Sequence, residues 1–392
     1  MKRKRKNHVN AGKLQENPPE LRVMVAGAGT GGHLFPGIAV IERLREMAGN
    51  VRPCFITTGR PIEKTVLEER NFETREISAA GMKGKSIWGK MASMGLLLRG
   101  VLEARRMLKT FKPHLVVGMG GYSSAPVVMA AWMAGVPRLI HEQNRVPGIT
   151  NRLLARFSNR IFVSFTDTVI PGAKDRIQYS GYPVRSDIRR PPRRDGDLAE
   201  EGGSAAQKPM VILVLGGSQG ARSINLAVTE ALEHIENLFD FEFVHQTGSA
   251  DEAYVKDRYE EKGVKALVSA FFNDMAAVYR KADLAVCRAG AGTLAELAVS
   301  GVPAILIPYP HAADDHQTAN AEGYVAMGGA HIIWESEMTP ESLAFLMMQY
   351  RSGKDVLQRM KMNLERHAAG DACGIIAREA LRLAGFEKAY DG

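Results

Sequence analysis

Two runs of the same kind, at residues 21–33 and 210–221, constrain this chain more than anything else in it. Each carries a short apolar segment into a glycine-rich turn where a helix should begin, AGAGTGGH in the first and GGSQGA in the second. A glycine turn between strand and helix lets the backbone come close to an anion, and the helix start supplies free N–H donors and a positive dipole end to hold it. His33 closes the first turn, which adds a titratable imidazole to an anion-binding corner and makes that corner a candidate active site. Around both runs, strand-like segments alternate with helical patterns, the signature of parallel α/β architecture.

With 392 residues the chain is long enough for two domains, and 45% apolar with 24% charged residues is ordinary for globular cores. Cys54, Cys287 and Cys373 are too few and too widely spaced for a disulfide framework or a zinc pattern, and they fit a reducing compartment. Residues 1–20 have the charge of a signal peptide without its apolar core, and read as a disordered basic tail. No stretch reaches the roughly 18 apolar residues needed to span a bilayer. A cytoplasmic protein is expected.

In the first half, strands are expected at 21–26, 52–57, 114–118, 138–141 and 161–164. The pattern breaks at 187–208 into a linker rich in Pro, Gly and charge. It resumes from 209, with strands at 210–215, 242–245, 266–268, 284–287 and 304–308. Two Rossmann-like domains, 21–186 and 209–392, should therefore face each other across a cleft, with the last helix free to pack back on the first domain. Open parallel sheets bind ligands beyond the C-terminal ends of their strands, so ligands should sit between the halves.

Gly27, Gly29 and Gly32 satisfy G-x-G-x-x-G, the spacing of a dinucleotide fingerprint. That fingerprint also wants an acid at the end of the second strand, where this chain has Thr57–Thr58–Gly59; only Arg60 keeps a 2′-phosphate reading open. GMKGKS at 81–86 has too few residues between its glycines for a P-loop. Other βα junctions are richer. Ser218 offers a hydroxyl at the second glycine turn, suited to a pyrophosphate. Gly290 to Thr293 follow the strand at 284–287, and Glu296 one turn later can accept two hydrogen bonds from a ribose diol. His311, Asp314, Asp315, His316, Gln317 and Asn320 crowd behind the strand at 304–308, placed for sugar hydroxyls; their spacing fixes no metal geometry. Tyr122, Glu142 and Asn144 come from two junctions on the edge that carries His33. Each cluster alone has a bland alternative in capping and turn chemistry. Their number on one edge favours a site.

Residues 75–112 hold nine Lys/Arg against two acids, interleaved with Met82, Ile87, Trp88, Met91, Met94 and Leu96 to Leu98. This suits an anionic membrane surface, with an ordinary amphipathic helix and a solvated basic face as the alternative. No nucleic-acid recognition motif accompanies the charge.

GTGGH, GGY, HEQN, GYPVR, GGSQGA, the C-R-x-G-A-x-T-x-x-E run and DHQTANA occur in this order over roughly residues 21–385. Together they resemble the MurG-type N-acetylglucosaminyltransferases of peptidoglycan synthesis (glycosyltransferase family 28). The resemblance implies a GT-B fold and a peripheral protein on the cytoplasmic face of the plasma membrane. It implies transfer of N-acetylglucosamine from UDP-N-acetylglucosamine to the muramoyl 4-hydroxyl of lipid I, with inversion, giving lipid II, with no cofactor and no metal. Partners in cell-wall synthesis would follow from that role. Carried over by motif, donor contacts are Thr30, Gly31, Gly32, Asn144 and Arg185, Ser218 at the pyrophosphate, and Phe272 against uracil. Ala291, Gly292, Thr293, Leu294, Ala295 and Glu296 would lie around ribose and phosphate, with Gln317 and Asn320 at the sugar side. Phe272 stands where the family often has Ile, and His316 where some relatives have Gln. The long linker and basic tail are peculiar to this chain.

In-line displacement at the anomeric carbon needs a base for the acceptor hydroxyl and stabilisation of the departing UDP. His33 is the expected base, with Glu142 its rival, or an orienting group alongside Tyr122. Helix starts at Ser218 and at Gly292 and Thr293, with Arg185, would hold the diphosphate. The competing readings are a related transferase acting on a glycolipid or small aglycone, and a nucleotide-sugar sensor without catalysis.

Overall fold

A computed structural model describes residues 19–27, 31–79, 87–188, 208–217, 220–367 and 370–387. The expected basic tail up to residue 18, residues 80–86 of the basic apolar stretch, Thr30, Ser218 and most of the expected linker lie outside the described residues. The chain forms two all-parallel sheets. The first contains β1 (Leu21–Ala26), β2 (Val51–Thr57), β3 (Glu73–Glu76), β4 (Leu115–Gly118), β5 (Arg138–Glu142), β6 (Arg160–Val163) and β7 (Ile177–Tyr179), in the order β3-β2-β1-β4-β5-β6-β7. The second contains β8 (Met210–Leu215), β9 (Phe241–Gln246), β10 (Ala266–Ser269), β11 (Leu284–Cys287), β12 (Ala304–Leu306) and β13 (Ala330–Ile332), in the order β10-β9-β8-β11-β12-β13.

β1 and β8 are buried along nearly their whole length because each has a neighbour on both sides and helices over both faces. In both sheets the strand order reverses beside this central strand, between β1 and β4 and between β8 and β11. A crevice opens at the C-terminal edge wherever helices leave a sheet in opposite directions. The first crevice is therefore built from Gly27 and the turn Met119–Gly120–Gly121, which follow β1 and β4. Gly27 lies at φ 155°, and a Cβ there would strike Met119, so the two turns can meet only through glycine.

The helix Ala372–Ala384 ends the described chain and packs on the first sheet's side. Its Ile376, Ala377, Ala380 and Leu381 share one buried cluster with Leu21, Ile38, Ile41 and Leu44. The helix Ile87–Phe111 covers much of the basic, apolar stretch. It buries Ser93, Gly100, Ala104, Leu108 and Phe111, and exposes Met94, Leu98 and Leu102.

Candidate active site

The strand ends of the two sheets enclose a cavity of about 400 Å³. Gly31, Gly32, His33 and Phe35 line it from the helix Gly31–Ala48. The second domain supplies Gly217, Phe272 and the start of the helix Ala291–Ser300, and Tyr182 and Arg185 come from the crossing segment.

His33 stands on a floor without side chains. Gly120, at φ +84°, carries no Cβ; one placed there would lie 3.2 Å from the imidazole Cδ2 and 3.3 Å from Nε2. Burial, with a smaller contribution from His316 across the cleft, pushes the His33 imidazole down to about 4, so it is neutral near pH 7. Glu142 has a different setting from the one expected of a rival base. Its carboxylate is 1% exposed and accepts four hydrogen bonds, from Asn144 N (2.9 Å), Asn144 Nδ2 (3.3 Å), Gly148 N (3.0 Å) and Asn151 Nδ2 (2.8 Å). Burial raises its carboxyl above the usual range while these donors pull it back. It organises the loop at 143–148 and is not among the residues lining the cavity. Tyr122 is not among them either; its ring lies under the Arg60 guanidinium, 6.0 Å from the centroid.

On the opposite wall, Gly290 caps the helix Ala291–Ser300 in extended conformation, leaving its first N–H groups toward the cavity. Gly292 faces the Tyr182 hydroxyl, which would lie 2.8 Å from a Cβ at that position. That hydroxyl donates to the Gly32 carbonyl at 3.2 Å, joining the two glycine turns. Glu296 reaches the same wall from one turn further along. It accepts from the Tyr279 hydroxyl at 2.9 Å and lies 4.0 Å from Arg185, whose guanidinium stacks on Phe35 at 4.8 Å. Burial raises the Glu296 carboxyl; Arg185 and Tyr279 oppose the rise. Gln317 lines the cavity from the start of the helix His316–Ala326, its Oε1 accepting from Tyr309 N at 3.0 Å. The Phe272 N–H donates to Gln246 Oε1 at 3.1 Å, and both residues line the cavity.

Of the residues expected from sequence, the cavity thus brings together Gly31, Gly32, His33, Asn144, Arg185, Phe272, Ala291, Gly292, Thr293, Glu296 and Gln317. Leu294 and Ala295 do not reach it: helical geometry turns them to a smaller cavity behind, and Leu294 joins the core. Asn320 is fully buried and spends its amide inside the protein. Among the described residues no group of three or more His, Cys, Asp or Glu converges as metal ligands. Sequence reasoning passed over Tyr182, Tyr279, Phe35 and Gln246. Tyr182 was within reach, since GYPVR had been singled out; Tyr279 sits mid-helix and carries no local signal.

Two parallel α/β domains whose strand ends meet across such a cleft have the architecture of GT-B glycosyltransferases. Residues 23–163 match the glycosyltransferase family 28 N-terminal domain and residues 211–373 the family 28 C-terminal domain, and the chain belongs to that family. A relative from Geotalea daltonii is 41% identical over 360 residues, covering 92% of this chain and 97% of the relative. One from Geobacter metallireducens is 40% identical over 374 residues, covering 94% of this chain and 100% of the relative. Both are named UDP-N-acetylglucosamine–N-acetylmuramyl-(pentapeptide) pyrophosphoryl-undecaprenol N-acetylglucosamine transferase. The crystal structure of MurG from Acinetobacter baumannii is similar at a TM-score of 0.71 and 31% identity, covering 93% of this chain and 100% of that one.

Proposed function

We propose that this chain transfers N-acetylglucosamine from UDP-N-acetylglucosamine to the 4-hydroxyl of the muramoyl sugar of lipid I, inverting the anomeric centre and giving lipid II. The observation that carries the reading is His33, neutral on its glycine floor, facing an open helix start across the cleft. The like-named relatives at about 40% identity along nearly the whole chain supply the substrates.

The chemistry follows from those two walls. The acceptor oxygen forms a bond to the anomeric carbon as the bond from that carbon to the UDP β-phosphate oxygen breaks. The acceptor proton passes to the His33 imidazole, and the electron pair leaves on UDP. N–H groups at Ala291 to Thr293, with Arg185 behind them, stabilise the charge gathering on the diphosphate. Glu296 accepts the ribose diol, and Gln317 addresses the sugar hydroxyls. The negative charge of a bound diphosphate raises the His33 pKa, so the base strengthens when substrate is present.

The acceptor is a membrane lipid, and no helix among the described residues is long and apolar enough to cross a membrane. We infer peripheral attachment at the cytoplasmic face of the plasma membrane through the helix Ile87–Phe111. Its Met94, Leu98 and Leu102 are exposed beside Arg99, Arg105, Arg106 and Lys109. Radiolabelled UDP-N-acetylglucosamine supplied with a lipid I analogue in detergent tests the function. Labelled lipid II is the expected product. No incorporation overturns the reading, and preferential labelling of diacylglycerol in competition replaces lipid I with a glycolipid-type acceptor.

A further inference from the structure

Asn320 joins the two domains from a fully buried position, reaching Asn144 and Arg145, which are half-buried. It is fully buried on the second-domain helix His316–Ala326, and its amide is completely used. Nδ2 donates to Asn144 Oδ1 at 3.1 Å and to the Ala289 carbonyl at 3.3 Å, while Oδ1 accepts from Arg145 N at 3.0 Å. Asn144 and Arg145 belong to the first domain, about half the chain away in sequence.

The orientation of each amide is dictated by its neighbours. Glu142, surrounded by N–H donors, acts as an acceptor, so the Asn144 NH2 must face it and the Asn144 oxygen must face Asn320. The Ala289 carbonyl then requires the Asn320 NH2 on its own side, which turns the Asn320 oxygen to Arg145 N. Glu142 reaches the other way to Asn151, whose Nδ2 lies at the same Gly120 turn that floors His33. Ala289 immediately precedes Gly290, the cap of the helix that faces the diphosphate. An unbroken hydrogen-bonded chain therefore runs from Asn151, beside the Gly120 turn, to Ala289, two residues before the donor helix.

Packing around this chain is equally close. The Arg145 guanidinium donates to the Ala319 carbonyl at 3.3 Å and pairs with Asp167 at 2.7 Å and Glu322 at 3.6 Å. Phe165 would lie 3.1 Å from a Cβ at Gly323, so it seats on the helix only because that position is glycine. The same helix begins with His316 and Gln317 in the cleft.

We propose that Asn320 and Asn144 form an interdomain latch, and that Asn320 is a positioning residue which sets the spacing between His33 and the donor rather than a ligand of the sugar. The kinetic arm of the test rests on the transferase reading above; the structural arm does not.

The kinetic arm is a double-mutant cycle with Asn144→Ala, Asn320→Ala and the double variant. Asn320→Ala, away from the cavity, is expected to lower kcat by about 10-fold with donor KM within about 3-fold, and the double variant to be no worse than the worse single, as for two halves of one contact. Additive losses, about 100-fold in the double variant, or a rise in donor KM that matches the whole effect, overturn the latch and make the two residues separate substrate ligands. The structural arm places spin labels at Lys174→Cys and Lys256→Cys, on exposed positions of the two domains, in a Cys373→Ser background. Pulsed EPR without substrate should give one narrow distance in the parent and a broader, longer distribution with Asn144→Ala, which breaks the latch from its accessible side should Asn320→Ala fail to fold. An unchanged distribution overturns the proposal. A narrow parent distance that broadens with Asn144→Ala, in a protein that transfers no sugar, sinks the transferase reading alone, and a parent distribution that is already broad overturns the latch.

Discussion

Burial decides what His33 can do before any substrate arrives. An exposed imidazole loses its basic form below pH 6.5, whereas one held at about 4 keeps it well into mild acid. With His33 as base, the acid limb of kcat/KM, which reports the free enzyme, is expected below pH 5. A limb centred near 6.5 would move the base role to another group. His33→Ala should lower kcat by about 100-fold or more while donor KM changes little, measured with the lipid I analogue. Glu296→Gln removes the charge that pairs with Arg185 and would meet the ribose diol. Charged hydrogen bonds are worth about 1.5–3 kcal/mol each, so donor KM should rise about 10- to 100-fold; an unchanged KM would leave Glu296 with only the Arg185 and Tyr279 contacts. At this scale the sequence was legible where backbone was the message. Gly31, Gly32, Gly292 and His33 line the cleft because turn chemistry and strand order put them there. It misled where a polar side chain stood at a strand end. Glu142 and Asn320 have the residue types of a site, but the Glu142 carboxylate accepts from Asn144, Gly148 and Asn151, and the Asn320 amide is spent on Arg145, Asn144 and Ala289; sequence does not show which groups are already occupied.

Among the elements, the central strands were the most readable and the edges the least. β1, β4, β5, β8, β11 and β12 are short apolar runs near the expected places because their neighbours bury them on both faces. β3 reads ETRE, β7 reads IQY and β13 reads AHI: these are edge or near-edge strands of three or four residues, with no apolar run to announce them. β3 is held by its parallel ladder to β2, with the ion pair from Arg52 to Glu73 at 2.9 Å bridging the two strands at the surface. The helix Ile87–Phe111 shows apolar side chains where periodicity left two readings open. Its outward face carries leucines beside the basic residues, Leu98 62% and Leu102 59% exposed. Burying a leucine is worth about 1.5–3 kcal/mol, and each basic residue near an anionic surface about 1 kcal/mol. Leu98→Glu with Leu102→Glu is therefore expected to weaken binding to phosphatidylglycerol vesicles by about 100-fold or more. Added salt should weaken the parent too, by screening its basic residues. Sedimentation with vesicles reads both, and binding indifferent to lipid charge and to salt would remove this helix from the membrane surface.

The whole molecule is held together by elements that cross between its halves rather than by each half alone. The latch at Asn320 ties the second domain to the first beside the cleft, and the helix Ala372–Ala384 does so on the far side. That helix follows the second domain in sequence, yet its apolar face completes the first domain's core against Leu21, Ile38, Ile41 and Leu44. Its entry is fixed by Asp371, whose carboxylate caps Gly374 N at 2.9 Å, and by Arg160, which pairs with Glu379 at 2.7 Å. Ile376 is fully buried in this seam, so Ile376→Ala leaves a cavity between a helix from the end of the chain and strands from its beginning. Such a truncation costs about 2–5 kcal/mol where the surroundings cannot collapse, and here they are pinned by a parallel sheet on one side. Thermal unfolding followed by calorimetry should show the first domain's transition shifted down by several degrees. UDP binding to the second domain, read at a temperature where both domains are folded, should change by less than about 3-fold, because its core does not contain Ile376. A variant that melts like the parent would mean the helix adds nothing to the first domain's stability, and the seam seen in the folded protein would then be a resting place rather than part of the core.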